Sequence, residues 1–174
     1  ATNGSCSWIK PVTVTINPQP TPSITGSNSI CASSTGNVYS VTNVTGNTYG
    51  WTVTGGTVTA GAGTNSITVI WGAAGTGTVE VLETITATSC TQTNSLSVTI
   101  NPNPTPSITG STAVCTTNTG YVYSVTSVAG NTYSWAVTGG TITAGAGTNS
   151  ITVTWGAAGT GTVAVTQTTT ATGC

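Results

Sequence analysis

Few side chains in this sequence are able to do chemistry. There are five cysteines (Cys6, Cys31, Cys90, Cys115 and Cys174), two glutamates (Glu80 and Glu83) and one lysine (Lys10), with no His, Asp or Arg. Zinc binding is not expected, because the cysteines are widely spaced, without a CxxC pair or a histidine. Thiol or serine nucleophilic catalysis lacks its base. General acid–base work needs two positioned acids, and Glu80 and Glu83 read as solvated surface groups. The runs Gly72 to Gly77 and Gly156 to Gly161 resemble phosphate loops only superficially: they lack the Lys and precede strands, so they read as hairpin turns. Lys10 reads as a surface lysine. No catalytic residue, metal site or cofactor is expected, and the chemistry that remains is disulfide formation, which places the chain outside the cytosol.

The elements that carry the cysteines come from a repeat. Residues 23–90 recur at 107–174 with 50 identities in 68 positions, a period of 84. The offset extends outward: Val12 to Pro18 matches Leu96 to Pro102, and Cys6 falls on Cys90. The reading is therefore 1–22, the closing strand and linker of a preceding repeat; 23–106, a complete repeat with its linker; and 107–174, a second repeat lacking its last strand. The acids belong to one copy, since Glu80 and Glu83 align with Ala164 and Gln167.

Within each repeat, apolar residues alternate with Thr, Ser or Gly, the period of half-buried strands. Tyr49, Trp51 and Val53 form one inward set; Ile67, Val69 and Trp71 form a second. Val79 with Val81, and Leu96, Val98 and Ile100, form two more. Their partners in the second copy are identical where both exist, including Tyr133, Trp135 and Trp155, whereas outward neighbours differ (Thr52/Ala136, Ile70/Thr154). Core packing resists change and a solvated face does not. These aromatics are accordingly expected in the core. Seven or so short strands per 84 residues, with Gly-rich turns every 8–12, predict an all-β chain of tandem β-sandwiches. The segments Asn17 to Pro22 and Asn101 to Pro106 read as Pro-rich, extended linkers.

Composition narrows the partners. Charged residues make up 2% of the chain, and about a quarter of it is Thr. Nucleic acid is excluded for want of Lys and Arg, and an anionic membrane surface for the same reason. No apolar run reaches the ~20 residues of a membrane helix. Asn3-Gly4-Ser5 and Asn43-Val44-Thr45 are glycosylation-type sequons, placing candidate sites at Asn3 and Asn43. Trp8, aligned with Gln92, stands apart from the core pattern and suits an interface.

Two disulfide connectivities stay open. Pairing within repeats, Cys31–Cys90 and Cys115–Cys174, closes a loop of about 59 residues, worth roughly 4 kcal/mol in the loop-entropy account. In a sandwich, however, the strands beside Cys31 and Cys90 lie in opposite sheets, which puts the two cysteines at opposite poles. Head-to-tail stacking instead brings Cys31 near Cys174, a staple between repeats, with Cys90 and Cys115 reaching neighbouring repeats.

At Asn47 to Gly56 (NTYGWTVTGG) the sequence resembles the strand and turn of a PKD domain, an aromatic-x-Trp followed by a Gly-rich turn. The wider pattern runs through Ile30-Cys31, Val38 to Val41, Ile67 to Val69, Trp71-Gly72, Cys90 and Val98 to Pro102. It is similar to the PKD-like, Ig-like repeats of very large Bacteroidota surface proteins. One departure is the turn itself, Gly55-Gly56 where the family carries Asp. The resemblance implies an extracellular, non-enzymatic sandwich of a filament, adhesin stalk or surface fibre whose partners are copies of the same repeat. The alternative is a spacer or carbohydrate-binding module of a secreted multidomain enzyme, with glycans or surfaces as partners. A flat Thr-x-Thr face for ice or mineral is only partly matched. Two polymer arrangements fit the phase of the repeats: a window of a longer tandem protein, which the sequence favours, or a subunit whose residues 7–22 supply a strand to a neighbour.

Overall fold

A computed structural model describes residues 8–174, so Asn3 and Cys6 lie outside the described residues. Over that range the chain is all-β, with twelve strands and no helix. The first repeat contains β1 (Ser29–Cys31), β2 (Asn37–Ser40), β3 (Asn47–Thr54), β4 (Gly56–Ala60), β5 (Ser66–Trp71), β6 (Gly75–Ile85) and β7 (Cys90–Asn101). One sheet has the order β1-β7-β6-β3 and the other β2-β5-β4. All pairings are antiparallel except β1 with β7, which run parallel, with Ile30 opposite Ile100 and Cys31 opposite Asn101.

Alternation explains why these segments become strands and why they stack. Each places Val, Ile, Tyr or Trp on one face and Thr or Gly on the other, and two such faces bury each other. Tyr39, Ile67, Val69 and Trp71 from one sheet meet Val79, Val98 and Ile100 from the other. Tyr39 and Trp71 pack edge to face, centroids 5.9 Å apart, and the Trp71 indole donates to the Tyr39 hydroxyl at 3.2 Å. That hydroxyl in turn donates to the Ser27 carbonyl at 2.8 Å, so both polar tips in the core are paired, as burial requires. Gly77 is dictated by this packing: a β-carbon there would collide with the Trp71 ring. Tyr49 is buried, whereas Trp51 is half-buried, its indole donating to the Thr64 carbonyl at 2.8 Å.

The second repeat has β8 (Tyr121–Ser124), β9 (Asn131–Thr138), β10 (Gly140–Ala144), β11 (Ser150–Trp155) and β12 (Thr162–Thr169). Its sheets are β10-β11-β8 and the pair β12-β9. Trp135 and Trp155 are buried and Tyr133 is half-buried. The indole–phenol pair recurs, Trp155 donating to Tyr123 at 3.2 Å.

One expectation is corrected. Glu80 is exposed, but Glu83 is not on a solvated face: it is 3% exposed, and the Asn47 side-chain amide donates to its carboxyl at 2.6 Å. The strand period is the reason. Val79, Val81 and Glu83 share one face of β6, so Glu83 turns inward with the valines.

Candidate functional site: a stapled junction and an open slot

The joint between repeats is built from the end of β7. Asn101 donates its side-chain amide to the Ser29 hydroxyl (2.9 Å) and the Ile30 carbonyl (3.1 Å), and its own carbonyl accepts from the Ala32 amide (2.8 Å). Asn103 then ties the joint to the first repeat through the Ala32 carbonyl at 2.9 Å. Pro104 and Pro106 are half-buried beside a cavity of about 480 Å³ shared with Val128, Asn131 and Gln167 of the second repeat. The equivalent Pro20 and Pro22 are buried. Prolines without amide protons suit a segment that packs without joining a sheet.

Across this joint Cys31 and Cys174 are disulfide-bonded, with Cα atoms 5.4 Å apart and a sequence separation of 143. The structure thus makes neither Cys31–Cys90 nor Cys115–Cys174. Strand geometry accounts for this. Cys31 lies opposite Asn101 at one end of β7, and Cys90 is the first residue of that strand. At about 3.3 Å per residue they are roughly 36 Å apart, far beyond the ~7 Å a disulfide spans. Cys174 is presented by a short loop after β12, held by its carbonyl accepting from the Thr169 amide at 2.6 Å and by Gly130 accepting from Thr170 at 2.9 Å. Among the described residues, Cys90 (half-buried) and Cys115 (exposed) are free thiols.

The second notable site is in the second repeat. In the first repeat, β7 fills the space between β1 and β6, with Val98 and Ile100 buried. At the same place in the second repeat is a cavity of about 820 Å³ lined by Ile108, Val114, Tyr123, Trp155, Gly161 and Val163. Residues 113–115, the counterparts of β1, make no strand, and β12 pairs on one side only. Among the described residues, nothing groups three or more His, Cys, Asp or Glu into a metal-holding set. Trp8, Val14 and Ile16 are 95%, 74% and 91% exposed, in a segment that joins no sheet. Asn43 is exposed in the turn between β2 and β3. Sequence reading missed the inward Glu83, although the valine alternation on β6 carried the signal.

In comparison with known proteins, the family described as the PKD-like domain matches the chain twice, over residues 17–100 and 101–174. No curated protein matches it.

Proposed function

Because the chain belongs to the PKD-like domain family, we propose that it is a non-enzymatic, load-bearing segment of an extracellular fibre, filament or adhesin stalk. Repetition supplies length, and copies of the same repeat are its neighbours. The observation that carries the reading is the Cys31–Cys174 bond. A staple spanning two repeats is of little use to an isolated binding module, but it matters under tension. Force entering before residue 31 and leaving at residue 174 passes through the disulfide, so both sandwiches from residue 32 to residue 173 are bypassed. In the loop-entropy account, closing 143 residues also stabilises by about 5 kcal/mol. The neutral, Thr-rich surface supports the same role, since little on it responds to salt or pH.

Single-molecule pulling on the 174-residue chain, with handles at residue 8 and residue 174, tests this. The oxidised chain should release almost no hidden length. The reduced chain, or Cys31→Ser, should release about 142 residues, on the order of 500 Å. Full release from the oxidised chain would refute a load-bearing staple. A second reading, a carbohydrate-binding spacer, is favoured only by Trp8, which is 95% exposed. Saturable binding to cellulose or chitin, lost in Trp8→Ala, would support it.

A further inference from the structure

We propose that the open edge of β3, and the same edge of β9 in the second repeat, is a lateral docking edge that pairs antiparallel with the equivalent edge of a second copy of this chain.

Main-chain pairing leaves this edge unsatisfied. Gly46 accepts from the Thr86 amide at 3.0 Å, and the register runs on from Asn47 opposite Ile85 to Thr54 opposite Thr78. Antiparallel pairs alternate between bonded and non-bonded. Thr48, Gly50, Thr52 and Thr54 therefore bond β6, whereas Tyr49, Trp51 and Val53 turn their N–H and C=O groups away from it. Among the described residues no main-chain group meets them there. β9 repeats the pattern: Gly130 accepts from Thr170 at 2.9 Å, and Tyr133, Trp135 and Val137 carry the open groups.

The other edges of the first repeat are guarded. β1 has three residues, β2 has four and is bridged at Ser40 by Thr25, and β4 is bulged between Val58 and Ala60. Shortness, bulges, Lys and Pro are the usual devices against edge-to-edge pairing. β3 has eight residues in unbroken register, with no Pro and no charge.

Self-complementarity names the occupant. With Trp51 opposite the second copy's Trp51, Tyr49 falls opposite Val53, Gly50 opposite Thr52 and Thr48 opposite Thr54. Every open group of Tyr49, Trp51 and Val53 then finds a partner, core-facing residues meet core-facing residues, and Thr meets Thr or Gly. Such cross-strand aromatic, β-branched and Thr–Thr pairs stabilise a sheet. Trp51 and Val53 are half-buried beside Val79 and Val81 at 0% exposure, so they have cover to gain. Charge does not oppose the approach. The chain's net charge is −1, and Glu80 stands one strand in, opposite Thr52. Across β6-β3-β3-β6 the two copies' Glu80 residues are at least about 14 Å apart, beyond a Debye length of about 8 Å at physiological salt. The inference deepens the fibre reading by adding a neighbour beside the chain to those along it. A stapled chain without lateral pairing, or a pairing chain whose staple bears no load, would each fail one experiment only.

The test uses the purified 174-residue chain with Cys90 and Cys115 capped by iodoacetamide, so that no thiol joins copies. Sedimentation equilibrium should show concentration-dependent self-association. The amides of Tyr49, Trp51 and Val53 should exchange hydrogen at least about tenfold more slowly in concentrated than in dilute samples, with Gly50 and Thr52 protected throughout. Charge variants then check the register at exposed positions; a β-carbon at Gly50 meets nothing closer than 4.0 Å. Gly50→Lys, Thr52→Lys, Ser134→Lys and Ala136→Lys together set like charges opposite each other, and should raise the Kd at least about tenfold at low salt and less at high salt. Gly50→Glu, Thr52→Lys, Ser134→Glu and Ala136→Lys set opposite charges there instead, and should restore association. A chain that stays monomeric at all concentrations overturns the proposal. So does association that ignores the sign of these charges, or that leaves exchange at Tyr49, Trp51 and Val53 unchanged.

Discussion

The two repeats share most of their residues but differ in one strand, and the consequences of that strand are visible throughout the sandwich. Where β7 is present, β1 forms beside it, β6 extends over Gly75–Ile85, and Val79 and Val81 are fully buried. Where it is not, β12 covers only Thr162–Thr169, Val163 and Val165 are half-buried, and Trp155 is 9% exposed against 1% for Trp71. Yet Tyr123, Ile151 and Val153 pack as their counterparts do, and the Trp–Tyr hydrogen bond is unchanged at 3.2 Å. The β2-β5-β4 type of sheet is therefore self-sufficient, whereas the other sheet depends on its central strand. A sheet propagates through main-chain pairing, so losing an inner strand removes partners on both sides.

Mutations sharpen the contrast. The largest difference is expected at Ile100 and Ile16, the same position with and without a partner. Ile100→Ala should cost about 2–5 kcal/mol, as for other buried Ile truncations, while Ile16→Ala should leave the free chain's denaturant midpoint unchanged. Equal effects would mean that Ile16 is packed in solution as Ile100 is. Next comes Glu83, buried against Asn47, and its counterpart Gln167. Glu83→Ala leaves the Asn47 amide without its acceptor and should cost about 1–3 kcal/mol. Gln167→Ala should cost less than about 1 kcal/mol, measured in the same urea titration. The smallest effect concerns Tyr39. Burial pushes its phenol above the ordinary value, and the Trp71 hydrogen bond pulls partly the other way. A raised pKa means that the folded state holds the proton more tightly. The stability this contributes is complete below the unfolded phenol's pKa of about 10 and falls as pH rises from there through the folded value. Tyr39→Phe should flatten that alkaline decline in thermal melts between pH 9 and 11.

The all-β class and its seven-strand unit were legible because the two copies act as an internal alignment: buried positions stayed identical while their neighbours changed. The PKD-like resemblance rested on the same residues, the aromatic-x-Trp of β3 and the Trp of β5. Glu83 was misread because its chemistry was weighed over its phase, although it continues the inward series of Val79 and Val81. The joints were read as extended spacers, but Pro20 and Pro22 are buried. Proline content sets backbone stiffness locally and does not tell what the chain packs against.

By itself the amino-acid order determined the period, the strand phase and the absence of the groups most enzymes use, since each is a property of residue type at short spacing. Which cysteines meet was a different kind of question. Both pairings were compatible with the order of residues along the chain, and only the parallel docking of β1 on the far end of β7 put Cys31 at the joint, within reach of Cys174 and roughly 36 Å from Cys90. Disulfides depend on distance in space, and that distance is set by how strands stack, not by how they follow one another.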